Sequence, residues 1–97
     1  MREVPWLAMR SLRNEPETVR IASTVGHDRD RVVGALREVW GYAVANCEHD
    51  TTTDEGVLNF APAEAIVAIL DERARIEGFS DAMKGADWLK LGHDVRF

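Results

Sequence analysis

Cysteine is the scarcest reactive residue in this chain: among 97 positions only Cys47 carries a thiol, so no disulfide can form within it. A fold of this size must then stand on apolar burial, and a reducing compartment, the cytoplasm, is its expected home. Long hydrophobic runs are missing too. Nothing approaches the roughly 20 apolar residues of a membrane helix, and residues 1–12 lack the uninterrupted apolar core of a secretory leader. No membrane partner is expected. Catalytic signatures are equally scarce. There is no nucleophile–base pattern, no glycine-rich phosphate loop and no carboxylate pair that stands apart from an acidic surface, so the chain is expected not to be an enzyme. Cys47-x-His49 without a second close pair is not a zinc motif, and His27 and His93 lie far off in sequence. Neither metal nor cofactor is expected.

Positive charge is also short. Twelve Lys and Arg face seventeen Asp and Glu, a net charge of −5. The imbalance is uneven: residues 1–47 hold seven arginines against six acids, and residues 48–97 hold five basic groups against eleven acids. A domain that bound duplex DNA mainly by neutralising phosphates would show the opposite bias.

What is present is an ordinary globular balance, 45% apolar and 30% charged, sized for one domain over residues 1–97. Residues 5–13 read as a short apolar lead-in, strand or irregular, with Trp6 as a core anchor. Asn14-Glu15-Pro16 starts a helix, with Glu17 favouring its positive end and Gly26 stopping it. Val19, Ile21, Ala22 and Val25 form its expected buried face. Asp28 caps the second and longest helix, where Val32, Val33, Leu36, Val39, Trp40, Ala43 and Val44 recur at helical spacing. Gly34 and Gly41 lie on one side of it. They point to close approach of another helix, either the first helix of the same chain or a second copy.

Residues 49–55 read as a polar loop and 56–60 as a short strand with alternating apolar positions. Pro62 opens a third helix that buries Ala65, Ile66, Ile69 and Leu70 and ends near Arg73. Gly78 reverses the chain before a short fourth helix with Phe79, Met83 and Ala86 inward and Ser80, Lys84 and Asp87 outward. Trp88-Leu89-Lys90-Leu91, Gly92-His93-Asp94 and Val95-Arg96-Phe97 then form a hairpin. The resulting order is helix, long helix, short strand, helix, turn, helix, hairpin. That is a mostly α (α+β) winged helix-turn-helix: four helices, a short strand and a C-terminal β-hairpin wing.

A family resemblance follows from the same residues. Trp40 comes after Val33-Gly34-Ala35-Leu36, and Asp54-Glu55-Gly56-Val57-Leu58 precedes the third helix. Gly78-Phe79-Ser80-Asp81-Ala82-Met83 and then Trp88-Leu89 precede the closing hairpin. This pattern, with the stretch from Trp6 through Pro16 to Gly26, resembles the N-terminal domain of phage-type replication proteins of the replisome-organiser kind. The resemblance implies a DNA-binding winged helix of phage or prophage DNA replication that recognises an origin or assembles replication proteins. Longer members of that family continue past the hairpin, so Phe97 ends either an excised N-terminal domain or a short standalone relative.

The residues expected to meet double-stranded DNA are Arg73 and Arg75 at the turn, Ser80 and Lys84 on the fourth helix, and Lys90, His93 and Arg96 on the wing. Ser80 and Lys84, four apart, share a face that suits phosphate or base-edge contacts. Ser80 also has a plainer role open to it, as the cap of its own helix. Between Ser80 and Phe97 three bases meet three acids, Asp81, Asp87 and Asp94, so a DNA footprint must rest on arrangement. The alternative is a protein–protein interaction or dimerisation domain on the same fold, binding a second copy or a replication protein.

Overall fold

A computed structural model of the chain describes residues 13–53 and 55–97. The apolar lead-in with Trp6 lies outside these residues, except for its last position. Among the described residues the molecule has four helices and one antiparallel sheet of four short strands, and it is mostly helical.

Helix α1, Pro16–Val25, begins with Pro16 in its first turn and ends at Gly26, whose left-handed φ of 75° lets its N–H reach the Ala22 carbonyl. Its buried face is Thr18, Ile21 and Ala22, with Val25 partly covered. Val19, expected inside, is 45% exposed. It follows Thr18 by one residue, a step of about 100° that carries it off the i, i+3, i+4, i+7 face.

Helix α2, Arg29–Asn46, is capped as its sequence foretells: Asp28 Oδ1 accepts from the Arg31 N–H at 2.8 Å. Its stripe from Val32 to Ala43 fills the centre of the core, while Val44, past the end of that stripe, is exposed. A Cβ built at Gly34 or Gly41 meets nothing within 4 Å. The first helix therefore does not pack on these glycines, which both lie on the open side of α2.

The next segment departs from the expected loop. Glu48–Asp50 (β1) pairs antiparallel with Glu55–Leu58 (β2), His49 opposite Gly56. β1 is wholly polar and largely exposed, so no apolar alternation announces it. Its turn is held by Asp50, whose Oδ1 accepts from the Thr52 N–H at 2.9 Å.

Helix α3, Ala63–Ala74, follows Pro62 and buries Ile66, Leu70 and Ala74; Ala65, expected inside, is exposed. Arg75 ends it in the left-handed region at φ 57°. The Arg31 guanidinium donates to the Ala74 and Arg75 carbonyls at 3.3 and 2.8 Å, occupying the open C-terminal acceptors of α3.

Helix α4, Phe79–Gly85, contacts both α1 and α3. It has no side-chain cap of its own. Instead Asp71, one turn from the end of α3, reaches across so that its Oδ1 accepts from the Ser80 N–H at 2.8 Å. Lys90–Leu91 (β3) and Val95–Arg96 (β4) form the closing hairpin, and β4 pairs in turn with β2, giving the order β1-β2-β4-β3. Trp88 leans on Trp40 with ring centroids 5.1 Å apart, tying the junction of α4 and β3 to α2.

Candidate nucleic-acid interface

On α4 the inward set is Phe79, Ala82 and Met83, continued by Ala86, as its spacing requires. Ser80 joins them. Its relative exposure is 0%, so the expectation that it faces outward is corrected. A helix wedged between two others buries a wider arc than one apolar stripe, and a small side chain fits the extra contact. The Ser80 Oγ has no hydrogen-bond partner among the described residues. Its own N–H is capped by Asp71, so Ser80 does not serve as a side-chain cap. Lys84 is exposed as expected, with Asp81 and Asp87 also at the surface.

At the hairpin the cations are already engaged. Lys90 Nζ meets Glu55 Oε2 at 2.7 Å. The Arg96 fork is bidentate to Asp94, at 3.1 and 3.2 Å, and its other end reaches Asp50 Oδ2 at 2.9 Å and Glu55 Oε1 at 3.4 Å. The Arg96 hydrogen bond holds the Asp50 carboxyl below its ordinary value, helped by the Thr52 N–H. The Lys90 hydrogen bond does the same for Glu55 and outweighs the opposing effect of burial. Hydrogen bonds donated to the Asp94 and Asp50 carboxylates raise Arg96 further above its usual range. Three carboxylates surround the two cations, so this end of the sheet offers phosphate little net attraction. His93 stands exposed at the hairpin tip.

Arg73 and Arg75 are exposed at the end of α3, with the Arg73 guanidinium 4.8 Å above the centre of the Tyr42 ring. They line a furrow between α2 and α3, whereas Lys90 and Arg96 line a separate hollow with Asp87 and Trp88. Lys84 and His93 belong to neither. The seven expected residues therefore do not converge on one pocket.

The furrow also brings in Arg31 and Glu38 of α2, which the sequence reading passed over. Their signal was there to be found: Arg31, Gly34, Glu38 and Gly41 recur at three- and four-residue steps on the side of α2 away from its apolar stripe.

Compared with family models, curated proteins and solved structures, the chain matches none of them.

Proposed function

We propose that the chain is a winged helix-turn-helix module that contacts duplex DNA, in phage- or prophage-type replication initiation or replisome assembly. The observation that carries this reading is the strand order. β2, which lies between α2 and α3 in sequence, backs β4 of the closing hairpin, and β4 backs β3. A helix, a strand, two helices joined by a short turn, and a hairpin returning onto that strand make the winged-helix plan, in which α4 would enter the groove.

The contact set is revised from the sequence reading. Lys84 on α4 and Arg73 and Arg75 beside the turn supply the phosphate contacts, and His93 supplies the tip of the wing. Lys90 and Arg96 hold the sheet to its own carboxylates, and Ser80 fills the core. So small a cationic set gives modest affinity, with base reading left to the short exposed face of α4. The test is a duplex titration of the wild type and of Lys84→Ala, Arg75→Ala and Arg96→Ala at low salt. Weaker binding for the first two and a smaller change for the third supports the reading.

A second reading is favoured by one observation, the neutralised hairpin. A winged helix whose wing cations are spent on Asp50, Glu55 and Asp94 suits a protein-interaction or dimerisation module. Absence of duplex binding at low salt favours it.

A further inference from the structure

The furrow between α2 and α3 encloses about 670 Å³, within the range of ligand-binding clefts. Ala35 and Ala74 are buried in it, and Arg31, Arg73 and Arg75 supply its charge. It shares Glu38 and Arg73 with a shallower hollow of about 460 Å³ that adds Arg37 and Tyr42. Four arginines thus face two glutamates, Glu38 and Glu72, along one elongated depression, on a molecule whose net charge is −5.

We propose that this furrow is a docking site for an extended acidic segment of a partner protein. Two features choose that occupant. The first is charge: Arg37, Arg73 and Arg75 are exposed, and guanidinium forks pair with carboxylates two bonds at a time. The second is clearance. A Cβ at Gly34 or Gly41 would meet nothing within 4 Å, so the α2 wall is low where a peptide backbone must lie. Tyr42 beneath Arg73 fixes that guanidinium plane, leaving its edge N–H groups for a carboxylate. Glu38 and Glu72 accept from the peptide N–H groups and reject a basic segment.

The furrow shares Arg73 and Arg75 with the proposed duplex contacts, whereas Lys84 on α4 lies outside it and tells the two apart. Gly34→Leu places a side chain in the furrow from an exposed helical position whose Cβ meets nothing within 4 Å. The experiment titrates the full chain with a fluorescent octapeptide alternating Asp or Glu with Leu, a matched Lys peptide, and a single-stranded oligonucleotide. Anisotropy and backbone amide shifts are read together. The acidic peptide binds and moves the amides of Gly34, Ala35, Ala74 and Arg75, and the Lys peptide does not. Gly34→Leu and Arg75→Glu each weaken it about tenfold or more, a change of about 1.4 kcal/mol, and Lys84→Ala, which weakens duplex binding, leaves it unchanged. Should Gly34→Leu misfold, Arg37→Glu and Arg75→Glu decide. No binding up to about 1 mM, shifts confined to other surfaces, indifference to the variants, or tighter seating of the oligonucleotide on the same amides each overturns the proposal.

Discussion

At Ser80 a hydroxyl lies out of solvent with its Oγ unpartnered among the described residues. A buried polar atom left unsatisfied costs about 1–3 kcal/mol, and alanine is the better helix former. Ser80→Ala is therefore expected to stabilise the fold by about 1 kcal/mol, seen as a higher urea midpoint, with duplex binding unaltered. A loss of stability would show that the hydroxyl has a partner. Asp71 behaves oppositely. Its carboxylate accepts from the Ser80 N–H at the N-terminus of α4, so Asp71→Ala is expected to cost about 1–2 kcal/mol in the same assay, and Asp71→Asn less. Around Arg96 the sign of the pH effect follows from depressed carboxylates. Asp50 and Glu55, ordinarily 3.8 and 4.5, titrate lower in the folded chain, so their contribution is whole above those values and fades as the pH falls through the folded ones. Urea midpoints should drop as the pH falls below these ordinary values of 4.5 and 3.8, and Arg96→Met should flatten that limb. An equally steep limb in the variant would place the acid sensitivity elsewhere.

Among the elements, the join between α4 and β3 matters most to the functional reading, because it sets where the hairpin sits relative to α4. Trp88 is partly buried against Trp40, and Trp88→Ala is expected to cost about 3 kcal/mol and to abolish the near-ultraviolet dichroism of the ring pair. α1, α2 and α3 were legible because proline, aspartate and glycine punctuate them and apolar spacing marks α2 strongly. β1 was not, since a polar edge strand of three residues carries no periodic signal and is specified by its partner β2. The burial of Ser80 was likewise hidden: its neighbours give a stripe, and only the wedging of α4 between α1 and α3 widens that stripe to include it. The pairing of Arg96 with Asp50, forty-six residues away, depends on the β2–β4 ladder, which no local pattern reveals.

Across the whole molecule, charge decides how the fold can be used. A chain of net charge −5 that spends its hairpin cations on its own carboxylates keeps fewer for a polyanion, and among the described residues Lys84 on α4 and Arg73 and Arg75 at the end of α3 stand exposed near the turn. Sequence supplied the cations but not this sorting, because engagement is a property of the folded sheet. Duplex contact through Lys84, Arg73 and Arg75 would show itself in the salt dependence of duplex association between about 50 and 200 mM. Three phosphate contacts predict a log–log slope near −3, reduced by about one in Lys84→Ala. No association at the lower salt, or a slope unchanged by that substitution, contradicts it.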